Sequence, residues 1–192
     1  MATTFERLRN ELAHNLSRGK TQKTVRPNTI AYLQPDGDGI VLRFYTTDLL
    51  LARPDGLVEI LSGDSRFTSR DRFNQFLPRG WSVFQSRGQA HLASGSGYGG
   101  FILPLERGLV AGWSVPPRIL ALNLQAQLGT PGAASVLADW FEEQGWLPMA
   151  DSTRRLDGQR FAPFTLKHVR EQLAAVEIEL RYAGRDCRRH RR

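Results

Sequence analysis

Residues 28–63 read NTIAYLQPDGDGIVLRFYTTDLLLARPDGLVEILSG, the densest alternation of strand-forming runs and turn signals in the chain. Residues 40–46 are rich in β-branched and aromatic side chains, which favours a strand. Pro54-Asp55-Gly56 is typical of a turn, because proline presets φ, aspartate can bond nearby backbone and glycine accepts a positive φ. Apolar residues return at 57–61. The sequence therefore predicts a hairpin over residues 40–61.

The chain continues as SRFTSRDRFNQFLPRGWSVFQS over 65–86 and RGQAHLAS over 87–94. Thr68 with Asp71 three residues later predicts a capped helix start, and Pro78 with Gly80 predicts its end. Two further strands are predicted over 81–93 around an Arg-Gly-Gln turn. We therefore predict an α+β fold: an antiparallel ββαββ sheet core with the helix on one face, an N-terminal helix and a C-terminal helical half. Within the sheet domain we expect three aromatic side chains to be buried: Phe73, Phe76 and Trp81.

An ordered series of short motifs runs through this region. In chain order it comprises Asn28-Thr29, Ile40-x-Leu42, Thr47-Asp48-Leu49-Leu50, Gly56-x-Val58, Ser62-Gly63, Thr68-x-x-x-Arg72-Phe73-Asn74, and then Trp81, Val83, Gln85 and Gly88. The series resembles an uncharacterised domain common in phage and mobile-element proteins, and it covers residues 28–93. The resemblance implies a mobile-element setting and no particular reaction.

Helices are predicted on both sides of this region. Thr3-x-x-Glu6 is a capping box for a helix over about 4–16. Pro116-Pro117 begins a second helix that ends at Gly129, and Thr130 with Pro131 begins a third, with Val136, Leu137, Trp140 and Phe141 on its inner side and Gly145 as its C-terminal cap. Residues 136–145, VLADWFEEQG, resemble a signature of a repeat-companion module found in planctomycete proteins.

The last predicted helix begins at Thr165 and has an apolar stripe of Val169, Leu173, Val176 and Leu180. Such a stripe packs against its own domain or forms a partner surface. We accordingly predict a sheet domain over 1–114, a helical subdomain over 115–181 and a basic tail over 182–192.

Charge is distributed unevenly along the chain. The net charge is +7, and residues 181–192 hold six Arg and one Asp, hence +5, which leaves +2 for the other 180 residues. The single cysteine, Cys187, fits a reducing, cytoplasmic compartment. No apolar run is long enough for a membrane helix or a signal peptide, so we expect no membrane association.

The basic residues suggest contacts with phosphate. Residues 17–26 carry four cations and no acid, which predicts either a phosphate-gripping loop or a solvated connector. Tyr98 stands among glycines in SGSGYGG and could stack on a base. The predicted nucleic-acid-binding residues are Arg18, Lys20, Lys23, Arg26, Tyr98, Arg181, Arg185, Arg188, Arg189, Arg191 and Arg192.

Catalytic, metal and cofactor chemistry is not indicated. The glycines at 95, 97 and 100 match G-x-G-x-x-G, but residues 101–113 read as strand, so no helix N-terminus would meet a pyrophosphate. The four histidines lack metal-ligand spacing. Asp48 and Glu59 are the best acidic candidates, yet Leu61 stands where a metal-dependent nuclease would have lysine. We predict no catalytic residue, metal or cofactor.

Two functions remain open. One is a non-enzymatic binding module of a mobile element or its host, which contacts nucleic acid or a nucleoprotein complex through the basic loop and the Arg-rich tail. The other is a protein-interaction or adaptor module that docks through the C-terminal helices.

Overall fold

The structure is a computed structural model that describes residues 2–35, 38–63, 66–95 and 100–189, apart from the side chains of Phe67 and of 182–189. It has two compact units: Met1–Gln85 with Leu105–Trp113, and Ser86–Pro104 with Ser114–Arg192. The predicted sheet domain of 1–114 therefore differs from the first unit chiefly in residues 86–104, which belong to the second. The segment predicted as a tail from 182 continues a helix as far as Arg189.

Six helices and nine strands make up the described chain. The helices are α1 Thr4–Leu16, α2 Phe67–Phe76, α3 Pro117–Gln127, α4 Ala133–Glu143, α5 Leu147–Arg154 and α6 Leu166–Arg189. The strands are β1 Gln22–Arg26, β2 Thr29–Leu33, β3 Ile40–Phe44, β4 Thr47–Ala52, β5 Val58–Ile60, β6 Trp81–Ser86, β7 Gln89–Ser94, β8 Phe101–Pro104 and β9 Val110–Ala111.

The α+β class with antiparallel sheets is confirmed, but the ββαββ arrangement is not. One sheet has six strands in the order β1-β2-β3-β4-β5-β9, and a second has three in the order β6-β7-β8. The strands on the two sides of α2 therefore belong to different sheets. A sequence pattern indicates strands but not which of them pair, and here the chain returns to the first sheet only at Val110.

The predicted hairpin over 40–61 is three strands. The run divides at a turn through Tyr45 and Thr46, so that β3 pairs with β4 and β4 with β5. The Pro54-Asp55-Gly56 turn forms as expected: the Asp55 carboxylate accepts a hydrogen bond from the Leu57 N–H at 2.9 Å, and Gly56 has φ of 88°. The Pro54-Asp55-Gly56 turn was thus predicted correctly. The turn through Tyr45 and Thr46 was missed because it lacks glycine and proline.

Helix α1 begins with the predicted capping box. The Glu6 N–H donates to the Thr3 hydroxyl at 3.1 Å, and the Thr3 N–H donates to the Glu6 carboxylate at 2.7 Å. Its buried residues Phe5, Leu8 and Leu12 recur at spacings of three and four, and α1 packs on β1, β2 and β3. This face anchors the helix to the six-stranded sheet.

Helix α2 begins earlier than predicted. It starts at Phe67, its cap position is Arg66 and no side chain caps it, so the Thr68–Asp71 capping box is wrong. The expected burial is confirmed, because Phe73, Phe76 and Trp81 are 0%, 1% and 7% exposed. The apolar spacing was therefore a better guide to this helix than its polar start signal.

In the second unit, a side chain of α3 forms hydrogen bonds with the backbone of β8. The Asn123 side chain accepts from the Ile102 N–H at 2.9 Å and donates to the Ile102 carbonyl at 2.8 Å. Gln127 donates to the same Asn123 oxygen, and both amide side chains are buried. Ala121 and Leu124 pack with Val169 and Val176 of α6, so the predicted stripe of α6 is covered by its own unit.

Helix α4 differs from its prediction at its start and on one face. Gly132, with φ of 78°, occupies the cap position that was assigned to Thr130. Val136 was placed on the inner side but is exposed, because the buried face also uses alanines, including Ala134 and Ala138. Gly145 follows the helix with φ of 76°, as expected for a C-terminal glycine. Helix α5 was not predicted.

Among the described residues, no helix combines the length and the apolar composition needed to cross a bilayer.

Candidate nucleic-acid interface

The first predicted basic region is only partly a loop. Arg18 and Lys20 are exposed in the turn after α1, but β1 begins at Gln22, so the expectation of a loop throughout 17–26 is wrong. The Asn15 side chain donates to the Gln22 carbonyl at 2.7 Å and ties the turn to the helix. This geometry gives Arg18 and Lys20 open access to an anion.

Lys23 differs from its neighbours because it has an internal partner. Its ammonium donates to the Glu11 carbonyl of α1 at 2.8 Å, and the side chain is half-buried. An ammonium used in this way links β1 to α1. A phosphate contact by Lys23 would have to replace that hydrogen bond.

Arg26 belongs to a group of three arginines near α2. Its guanidinium carbon lies 6.0 Å from the centroid of the Phe76 ring, and that of Arg7 lies 5.4 Å from the same ring. Arg7 also donates to the Gln75 carbonyl at 3.0 Å. Both arginines are exposed, and no carboxylate of the described residues forms an ion pair with either.

Arg72 is the third member. Its guanidinium carbon lies 5.5 Å from the centroid of the Phe44 ring, and it donates to the Gln75 side chain at 2.9 Å. Asp71 approaches it at 3.4 Å. Gln75 thus contacts Arg7 through its carbonyl and Arg72 through its side chain. We call Arg7, Arg26 and Arg72 the α2 arginine cluster.

Sequence reasoning found only Arg26 of this cluster. Arg7 and Arg72 lie on helices that contain acids as well as other arginines, so neither belongs to a run of cations alone. A cation–π contact needs the cation within about 6 Å of the centroid of a ring, over its face, and that distance depends on tertiary packing. No spacing rule in the sequence would have grouped these residues.

The two acidic candidates are held in ion pairs. Arg43 donates to the Asp48 carboxylate at 2.6 Å, and the Tyr32 hydroxyl donates to it at 3.0 Å. The bonds from Arg43, followed by the Tyr32 bond, hold the pKa of Asp48 below its usual range despite partial burial. Glu59 pairs with Arg53 at 3.3 Å. A carboxylate with a lowered pKa is a poor general base, so Asp48 serves to connect β4 with Tyr32 of β2 and Arg43 of β3.

In the second unit, the described arginines that were predicted to bind nucleic acid lie at the end of α6. Arg181 is exposed, and the helix continues through the backbone of Arg185, Arg188 and Arg189. These four residues form what we call the α6 arginine segment. Arg191, Arg192 and Tyr98 lie outside the described residues.

The same unit has an open groove of about 320 Å³ between α3 and α4. Ile119, Val136 and Trp140 supply its apolar surface, with Arg118, Asp139 and Glu143 around them. Val136 is 46% exposed. The groove therefore combines accessible apolar surface with charges of both signs.

Within the part of the chain that the structure describes, no three His, Cys, Asp or Glu residues come together in a group that could hold a metal ion. No family model, curated protein or solved structure matches the chain. The interpretation of these surfaces therefore depends on their own chemistry.

Proposed function

We propose that the protein is a non-enzymatic module of a mobile element or its host that binds the phosphate backbone of nucleic acid, free or in a nucleoprotein complex. The α6 arginine segment makes the main contact, and Arg18, Lys20 and Arg26 add cations from the first unit. The observation that carries the proposal is that α6 remains helical through Arg189. Helical continuation places Arg181, Arg185 and Arg188, at steps of four and three, along one side.

That side is not the buried one. Arg181 follows the buried Val176 by five residues, and five residues of α-helix rotate a position by about 140° beyond one full turn. Arg181 therefore lies on the solvent side of α6, where Arg170 and Ile178 are also exposed. Arginine positions at this spacing suit successive phosphates, because arginine donates two parallel hydrogen bonds to phosphate oxygens.

The charge distribution supports the same function. Phosphate contacts provide affinity without reading bases, so the expected binding is strongly salt-dependent and nearly independent of sequence, in DNA and RNA alike. Basic residues near a helix C-terminus also stabilise the helix dipole, but that effect is confined to the last turn. Arg181 lies two turns before Arg189, beyond the reach of this effect.

The test is a salt titration of binding to one duplex by the intact chain and by a chain ending at residue 180. If all six arginines of 181–192 meet phosphates, the slope of log K against log salt is about −5, and truncation removes most of it. Equal slopes for the two proteins, or no binding by the intact chain at low salt, would refute the proposal. Thermal unfolding of both chains checks that the truncated protein is folded.

The second candidate function is protein docking through the C-terminal helices, and the groove between α3 and α4 favours it. Val136 and Trp140 would anchor an apolar side chain of a partner, and the surrounding charges would orient it. Val136→Glu should abolish such docking while leaving nucleic-acid binding intact. A protein whose duplex affinity drops with Val136→Glu would not fit this division of roles.

A further inference from the structure

Tyr45 is an exposed aromatic residue in an unusual backbone conformation. It lies in the turn between β3 and β4, is 62% exposed and has φ of 52°. Positive φ is uncommon for a residue with a bulky side chain and costs on the order of 1 kcal/mol or more. The fold therefore keeps a large aromatic ring in solvent, although such a ring favours burial and such a residue favours negative φ.

Specific contacts hold Tyr45 in place. Its N–H donates to the Asn28 carbonyl at 2.8 Å, and the Asn28 side chain donates to the Tyr45 hydroxyl at 2.9 Å. The Tyr45 and Phe44 rings meet edge to face, with centroids 4.6 Å apart. The turn after β1 and the turn after β3 are thereby locked together, and the orientation of the Tyr45 ring is fixed before any ligand arrives.

Three arginines contact rings or segments that neighbour Tyr45. Arg72 stacks on Phe44, the neighbour of Tyr45, and Arg26 precedes Asn28 by two residues. Arg26 and Arg7 share the Phe76 ring. Tyr45 thus stands beside the α2 arginine cluster, and all of these residues belong to the first unit.

We propose that Tyr45 and the α2 arginine cluster form a binding site for single-stranded nucleic acid, with a base stacked on Tyr45 and neighbouring phosphates on Arg26 and Arg7. The inference rests on the proposed function for its ligand class, but it places a separate site in the first unit. An exposed ring held by hydrogen bonds, with Arg7 and Arg26 nearby and not engaged in ion pairs with described carboxylates, combines the two elements of sequence-tolerant single-strand binding, a stacking platform and cations for the backbone. A duplex would not use the Tyr45 ring, because its bases are already stacked on one another.

The experiment that tests this inference compares two substitutions of Tyr45. Tyr45→Asn removes the ring and keeps a residue that tolerates positive φ, so the turn should remain intact. Tyr45→Phe keeps the ring and loses only the hydroxyl bond to Asn28. Binding is measured with fluorescent oligothymidylate and with a duplex of equal length.

We expect Tyr45→Asn to weaken binding of oligothymidylate about 5- to 150-fold, the range for one lost stacking contact. Tyr45→Phe should remain within about threefold of the parent protein, and neither change should affect the duplex. If Tyr45 had a purely structural role, Tyr45→Asn would instead weaken the binding of both oligothymidylate and duplex and lower the unfolding temperature. Unchanged oligothymidylate binding by Tyr45→Asn overturns the inference.

A second variant keeps the test decisive if Tyr45→Asn fails to fold. Arg7→Gln with Arg26→Gln should reduce the single-strand salt slope by about 1.4, for two lost phosphate contacts. An unchanged slope in that folded variant also overturns the inference.

Truncation at residue 180 separates this inference from the proposed function. Single-strand binding that survives truncation and is lost in Tyr45→Asn supports the inference, whereas duplex binding that survives truncation refutes the main role of α6. Binding lost on truncation and unchanged in Tyr45→Asn supports the α6 contact and refutes the Tyr45 site. No binding to either probe by the intact chain refutes both.

Discussion

The α2 arginine cluster and the α6 arginine segment use the same side chain in different ways. The cluster gathers Arg7, Arg26 and Arg72 from three separate elements and packs them against phenylalanine rings and backbone carbonyls. The segment holds its arginines close together at the end of a single helix. Charge counting along the chain therefore finds the segment and overlooks the cluster, although both present cations that can meet phosphate.

The strongest test of this contrast removes the ring beneath the cluster. Phe76 is 1% exposed, and two guanidinium groups lie against it. Phe76→Ala should lower the free energy of unfolding by about 3–5 kcal/mol, through lost burial and the cavity left behind. Chemical denaturation measures the loss, and Phe76→Leu, which keeps most of the volume, should cost clearly less. A loss below about 1 kcal/mol for Phe76→Ala would show that the ring does not support the cluster.

The two units should also respond to acid at different pH values. Burial, which outweighs a hydrogen bond to the Gln89 backbone, lowers the pKa of His91 in the second unit below its ordinary 6.5. As the pH drops below about 6.5, His91 is protonated in the unfolded chain but stays neutral in the folded one. The free energy of unfolding therefore falls with pH in this range. In the first unit, Asp48 has a pKa below its ordinary 3.8, and its stabilising contribution is lost only in stronger acid.

This pH dependence is checked by unfolding titrations between neutral pH and pH 5. His91→Phe should flatten the dependence in that range, whereas Asp48→Asn should leave its shape unchanged. The reverse pattern would mean that the first unit, not the second, limits stability in mild acid.

A smaller effect separates two lysines that appear equivalent in sequence. Lys23→Gln should lower stability by about 1 kcal/mol, since its ammonium bonds the Glu11 carbonyl, and Lys20→Gln should change stability little. In the duplex salt titration, Lys20→Gln should have the larger effect and remove about one unit of slope, whereas Lys23→Gln should change the slope little. The double variant should therefore lose about one unit of slope, not the two that would follow if both lysines contacted phosphate. Matching behaviour of the two single variants would contradict the assigned contacts.

Features that depend on neighbours in sequence were predictable. The Thr3–Glu6 capping box and the Pro54-Asp55-Gly56 turn involve residues within a few positions of one another, and both formed as expected. The turn at Tyr45 did not appear in the pattern, because it is held by Asn28 from another hairpin. Strand pairing across α2 failed for the same reason: local periodicity does not specify which distant strands meet.

The candidate site follows the same division. Arg181 was assigned to phosphate from a dense basic run; it is exposed on α6, and the phosphate contact stays a prediction. Arg7, Arg72 and Tyr45 were missed because their grouping exists only after α1, α2 and the sheet have packed. Lys23 was assigned to phosphate because sequence shows a charge and not the carbonyl that already binds it.

The most direct test of the central claim compares two pairs of cations on α6. Arg185→Gln with Arg188→Gln removes two charges from the α6 arginine segment, and Lys167→Gln with Arg170→Gln removes two exposed charges from the first turns of the same helix. If the segment contacts phosphate, the first pair reduces the duplex salt slope by about 1.8 and the second by less than about 0.5. Equal reductions for the two pairs would show that net charge, and not the α6 arginine segment, governs binding, and would contradict the account.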